Sequence, residues 1–398
     1  MIAAALLATL LVAGDPPAAP AAPTAATAAL GKATAADAVQ AAWTAFVARE
    51  REARAAEIAA GSVPGGGTTM KFFHVARGDK PARGHSLYIS MHGGGGAPAN
   101  VNDQQWENQK RLYAPDEGVY VAPRAPGDSW DLWHQGHIDP LFDRLISDFV
   151  VTGEVDPDRV YLMGYSAGGD GVFQVAPRMA DRFAAAAMMA GHPNETKPDG
   201  LYNLPFAIHM GEKDGAYKRN EIAAQWKVTL DELTRREADA GRPGAYPHLV
   251  EIHPGKGHWM DREDASAVPW MAKATRVTRP KRVVWLQDDV TEKRFYWLGN
   301  DDPRQGDRIE AAIDGQTITI VSASRAMTIR ILLDDQMLDL DREVVVKQAG
   351  AGAGGDRELF KGKLPRSQAT IEKTLAERGD PRMVFVAEVG VGVRVEAK

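Results

Sequence analysis

Between residues 70 and 275, short unbroken apolar runs alternate with stretches that are apolar only at every third or fourth position. The unbroken runs are "KFFHVA", "SLYISMH", "GVYVAPRA", "RVYLMGYS", "AAAAMMAGH", "LPFAIHMG" and "HLVEIHPG". A strand covered on both faces has no polar side, so such runs predict buried strands. The helical-period stretches include "DPLFDRLISDFVV" and "NEIAAQWKVTLDELTRREA". Strands alternating with helices predict an α/β fold, a mostly parallel sheet flanked by helices.

The flanks read differently. Val39, Trp43, Phe46 and Val47 share one face at helical spacing. They predict a helix capped by Thr34 and ended by Gly61, with "GSVPGGGTT" breaking the chain after it. From residue 279 the runs shorten and turn signals such as Asp314-Gly315 separate them. This predicts a small mainly-β, sandwich-like C-terminal domain with one helix in "RSQATIEKTLAERGD". The expected divisions are 1–33, an apolar leader and Ala/Pro-rich linker; 34–278, the α/β domain with its N-terminal helix; and 279–398, the β domain.

Composition narrows the partners. The 398 residues carry a formal net charge of -6, 44% hydrophobic and 25% charged. No basic stripe suits nucleic acid. With no cysteine, disulfides and thiolate chemistry are excluded. The first residues, "MIAAALLATLLVAG", form an apolar run too short to span a bilayer but of the length of a signal-peptide core. A secreted or periplasmic protein is expected, although no Lys or Arg precedes the run. No later stretch is long and apolar enough to span a membrane, and the oligomeric state is not readable.

Four of the nine residues in "MGYSAGGDG" (163–171) are glycine, around Ser166. Gly164-Tyr165-Ser166-Ala167-Gly168 fits G-x-S-x-G between a strand and a helix, the setting in which a sharp turn presents a nucleophilic hydroxyl. The alternative is an ordinary turn with a capping serine. Three further features favour the nucleophile. "MHGGGGAP" follows a strand, so Gly93 and Gly94, with the N–H of Ala167, are candidate oxyanion donors. Asp214 lies in a turn after a strand, with Glu212 as the rival acid. His258 lies between glycines after a strand, with His253 and His192 as rival bases. The order Ser, Asp, His and the position of each after a strand agree with a triad at one sheet edge.

Tyr165 beside the serine, and Trp130, Trp133 and His134 in "APGDSWDLWHQGH", are candidate substrate walls. For the two tryptophans, packing onto the core is an equal alternative. No third ligand accompanies His134 and His137, so neither metal nor cofactor is expected.

With these motifs, "VDPDRVYLMGYSAGGDGVF" in particular, the chain resembles the α/β-hydrolase superfamily. Within it the likeness is to exported polyhydroxybutyrate-depolymerase and feruloyl/acetylxylan-esterase serine hydrolases, over about residues 70–275. The resemblance implies a nucleophile at Ser166, an acid at Asp214 and a base at His258. It implies cleavage of carboxylic esters, small or polymer-attached, through an acyl-enzyme. The chain departs from the group in lacking cysteine and in placing Asp170 in the first turn after the serine. The other readings are a prolyl-oligopeptidase-like serine peptidase, whose propeller is missing here, and a non-catalytic binding protein on a hydrolase scaffold.

Overall fold

The computed structural model describes residues 29–352 and 355–395. The apolar leader expected at the start of the chain lies outside them. Helix α1 (Lys32–Ala60) starts from Gly31, not from a Thr34 cap. It ends where expected, because Gly61 takes a left-handed φ of 61° and its N–H reaches the carbonyls of Glu57 and Ile58.

Eight strands follow: β1 (Ser62–Gly65), β2 (Thr68–Arg77), β3 (His85–Met91), β4 (Gly118–Arg124), β5 (Val155–Tyr165), β6 (Ala185–Met189), β7 (Phe206–Gly211) and β8 (His248–His253). They form one sheet in the order β1-β2-β4-β3-β5-β6-β7-β8. Strands β1 and β2 are antiparallel to their neighbours, and every other pairing is parallel. All seven apolar runs lie on strands of this sheet. The segment "GSVPGGGTT", expected only to break the chain, instead supplies β1 and the hairpin turn into β2. Pro64 is tolerated there because β1 is an edge strand.

The period-two geometry of the strands feeds two apolar layers. Leu87, Ile89, Val119, Val121, Val160 and Leu162 point into one. Tyr88, Tyr120, Tyr161 and Met163, their neighbours along the same strands, point into the other. The first layer is closed by α3 (Ile138–Val151), α4 (Ala167–Arg178) and α5 (Arg219–Asp239). The second packs Trp106 of α2 (Ala99–Gln109) and the residues of α6 (Ala267–Met271). Among the described residues, no helix is long and apolar enough to cross a membrane.

Beyond residue 279 come β9 (Arg282–Leu286), β10 (Arg294–Phe295), β11 (Leu298–Gly299), β12 (Arg308–Asp314), β13 (Thr317–Ala323), β14 (Met327–Leu333), β15 (Val344–Gly352), β16 (Gly355–Gly362), α7 (Gln368–Arg378) and β17 (Ala387–Val393). The strands form a five-stranded sheet, β16-β15-β13-β12-β9, and a four-stranded one, β10-β11-β14-β17. Trp285 of the first stacks on Phe295 of the second at 5.8 Å. The first apolar layer of the parallel sheet continues into these residues. Buried ion pairs cross the same boundary: Arg182 and Arg276 meet Asp380 at 3.0 and 2.8 Å, and Arg378 meets Asp181 at 2.9 Å.

Candidate active site

Ser166 sits between β5 and α4 with φ 59° and ψ -122°, a left-handed backbone that a residue with a Cβ adopts at a cost. Tight packing holds it there. A Cβ on Gly164 would overlap the carbonyl oxygen of Gly168, and one on Gly168 would overlap that of Met91. The glycines therefore let β5, α4 and the end of β3 approach until the hydroxyl stands at the carboxyl edge of the sheet.

Asp214 and His258 come to the same edge. Asp214 lies in a tight turn after β7, its N–H on the Gly211 carbonyl at 3.0 Å, and is buried. His258 follows β8. Its Nδ1 is 2.7 Å from Asp214 Oδ2, and its Nε2 is 2.9 Å from Ser166 Oγ. A carboxylate only accepts, so Nδ1 carries the proton and Nε2 is free to accept from the hydroxyl. The rivals are engaged elsewhere. Glu212 accepts the N–H of Gly255, His192 pairs with Asn194, and His253 lies against His209.

The glycine loop closes the other side of the serine. A Cβ built on Gly93 would lie 3.6 Å from Ser166 Oγ, so this backbone passes directly beside the hydroxyl. The loop is held by His92, a residue the sequence reasoning passed over. Its Nε2 accepts the Ala125 N–H at 3.1 Å, so its Nδ1 bears the proton and donates to the Gly93 carbonyl at 2.6 Å. Burial holds this imidazole neutral by pushing its pKa down to about 4. With the Gly93 carbonyl tied back, the N–H of Gly94 on the same peptide plane points the opposite way. Asn102 pins the next turn by accepting from Gly95 N–H at 2.8 Å.

The proposed substrate walls separate. Tyr165 lines the cleft above Ser166, but its hydroxyl is spent on the His258 loop, donating to the His258 carbonyl at 2.6 Å and accepting the Met260 N–H at 3.2 Å. Trp133 is a correction: its ring is fully buried between His92 and Phe142, and its indole N–H donates to the His92 carbonyl at 2.9 Å. With that N–H satisfied, the ring is a core side chain and cannot touch a substrate. Trp130 is exposed, but it lies over Gly95 and Gly96 and not on the cleft wall. His134 is buried edge-to-face against Trp130 and does not reach the cleft either. The walls of the cleft, about 610 Å³, are instead Gln105, Arg111, Leu112, Trp259 and Arg262. Trp259 was readable as the residue after His258. The others come from the end of α2 and a turn before α6, which no motif marks.

Asp170 is largely buried, accepts the His192 N–H at 2.6 Å, and feels Arg219 and His258. Burial dominates and raises its pKa from 3.8 to about 6. The folded state therefore favours the protonated form. The stability this group contributes is full below about pH 4 and is lost as pH rises through 6. Asp170→Asn keeps an acceptor for His192, so thermal melts should show the variant gaining on the wild type at pH 8 relative to pH 4. A difference in melting temperature that is the same at both pH values would refute this reading.

Residues 127–287 match the dienelactone hydrolase family. A putative esterase, NocK, of Nocardia uniformis subsp. tsuyamanensis is 30% identical over 180 residues, covering 42% of this chain and 52% of the relative. A poly(3-hydroxybutyrate) depolymerase of Ralstonia pickettii is 30% identical over 168 residues, 37% of this chain and 34% of the relative. The chain thus spans about half and a third of the length of these curated relatives. Among solved structures, a ferulic acid esterase aligns with TM-score 0.36 and 16% identity over 52% of this chain and 93% of its own. A poly(3-hydroxybutyrate) depolymerase from Bordetella parapertussis aligns with TM-score 0.36 and 18% identity over 50% and 84%. The parallel sheet flanked by helices is α/β-hydrolase-like, and residues 127–287, with the turn at Ser166 inside them, are similar to the dienelactone hydrolase family.

Proposed function

We propose that the protein is an exported serine esterase in which Ser166, His258 and Asp214 act as a triad. The observation that carries this is the unbroken chain from Ser166 Oγ through both His258 nitrogens to Asp214, at 2.9 and 2.7 Å. Ser166 Oγ attacks the ester carbonyl as His258 Nε2 takes its proton. Asp214 fixes the imidazole tautomer and stabilises the imidazolium. The carbonyl oxygen, now an anion, is received by the N–H groups of Ala167 and the Gly93–Gly94 peptide, each such donor being worth about a hundred- to a thousand-fold in rate. Collapse expels the alcohol with the proton from His258. Water then enters by the same route and frees the acid.

The cleft favours an ester that carries negative charge. Arg111 and Arg262 line it, and among the described residues neither has an acidic partner within 4.0 Å. Trp259, half exposed, offers an apolar face beside them. Hydroxy-acid oligomers, which end in a carboxylate, and aromatic acyl esters fit this lining. The apolar leader in the sequence supports export.

Matched p-nitrophenyl acetate and p-nitroacetanilide test the reading. Turnover of the ester with little or none of the anilide is expected, and a p-nitrophenyl ester with a terminal carboxylate should show a lower KM than its neutral isostere. Faster cleavage of the anilide would make the protein a peptidase instead.

A further inference from the structure

On the far edge of the parallel sheet, strand β8 carries Glu251 and His253 on one face, two residues apart. In the register of β7 and β8, His209 lies directly opposite Glu251. Three side chains with metal-binding atoms therefore share one small patch of the sheet. His209 is fully buried, His253 nearly so, and Glu251 opens to solvent. We infer that His209, Glu251 and His253 form a binding site for a divalent transition-metal cation, with zinc the best match to the donor set.

The spacing is the first argument. His209 Nδ1 is 3.2 Å from His253 Nε2 and 3.4 Å from Glu251 Oε2. Zinc bonds of about 2.0–2.1 Å in a tetrahedron separate ligand atoms by about 3.3–3.4 Å. Two of the three donor pairs already stand near that separation, and all three donor atoms lie within 4.8 Å of one another. Two imidazoles and one carboxylate also suit zinc, whereas calcium and magnesium prefer oxygen ligands.

The surroundings are the second argument. The outer nitrogen of His253, Nδ1, faces Glu263 Oε2 at 3.4 Å, and Glu263 is held by Lys256 at 2.9 Å. A carboxylate behind a ligating histidine fixes its ring and raises its basicity. Glu251 Oε2 is itself held by Ser266 Oγ at 3.2 Å. Ligation through His209 Nδ1 would place the ring proton on Nε2, which is buried without a protein partner.

The site stands at the root of the loop that carries His258. Directly after His253, Glu212 N–H donates to the His253 carbonyl at 3.1 Å, and Lys213 N–H to the Lys256 carbonyl at 2.7 Å. These bonds zip the turn of Asp214 to the loop of His258. A cation on His253 braces that zipper from below without touching Ser166.

The test titrates chelator-treated full-length protein with zinc chloride, by calorimetry and by thermal melting. One equivalent bound, with a rise in melting temperature, is expected for the wild type and equally for Ser166→Ala. The site variants His253→Ala and Glu251→Gln should lose both effects, and Glu263→Gln should weaken binding by about 10- to 100-fold. Because Glu251 is partly exposed, Glu251→Gln keeps the test open if His253→Ala does not fold. Cobalt(II) in place of zinc should show the visible bands of a tetrahedral site. Absence of stoichiometric binding to the wild type, or binding left intact by Glu251→Gln, would overturn the inference.

Discussion

Ser166→Ala is expected to lower kcat on an activated ester by about 10⁶-fold, the scale seen when a triad nucleophile is removed. On the proposed mechanism the variant loses the hydroxyl that would attack the carbonyl carbon, while Ala167 and the glycine loop would still receive the oxyanion. A residual acceleration of about 10³–10⁴ over water is therefore expected. The fold should be unaffected. Among the described residues the hydroxyl bonds only to His258, in an exposed contact, and the His258 side chain is 44% exposed and can turn to water. Circular dichroism should show an unchanged spectrum, and unfolding free energy should move by no more than about 0.5 kcal/mol. A loss of activity accompanied by unfolding would mean that the serine is structural.

Asp181→Ala is expected to cost about 3–5 kcal/mol, the usual result of stripping one partner from a buried ion pair. Asp181 follows α4 and is fully buried. Its Oδ2 accepts from Arg378 at 2.9 Å and from the Tyr296 N–H at 3.1 Å. Removing it leaves a guanidinium and a backbone donor buried without that partner, and Arg378 keeps Asp143 at 3.5 Å and the neutral Arg294 carbonyl at 2.6 Å. The residues on the two sides of this cluster belong to the parallel sheet and to the C-terminal β region. Urea unfolding should therefore move as a single transition. A loss below about 1 kcal/mol, or a split into two transitions, would show that the two regions do not depend on this contact.

What was legible in the sequence follows from how each element is stabilised. The strands of the sheet could be read because both their faces are covered, which leaves unbroken apolar runs such as Val160–Met163. The Ser166 turn could be read because close backbone approach excludes side chains at Gly164 and Gly168. Helix α2 could not. Its fully buried members are Asn102 and Gln109, satisfied by Gly95 N–H, Asp128 and Ser90, so it shows no apolar period. Arg111 and Arg262 in the cleft were hidden for the same reason, since polar residues near helix ends look alike wherever they point. The tryptophans mark a different limit. Trp130 and Trp133 sit three residues apart, but one is 64% exposed and the other fully buried. Only the partner of the indole N–H, the His92 carbonyl, separates them. His92 itself lay in plain view in "MHGGGG", but its role depends on Ala125, which is distant in the chain.

The most direct test of the triad is covalent labelling with a fluorophosphonate, read by intact mass and then by peptide mapping. The account predicts one adduct per chain, located on Ser166, formed rapidly by the wild type and far more slowly by His258→Ala. No adduct, or an adduct on another residue with Ser166 unmodified, would contradict it.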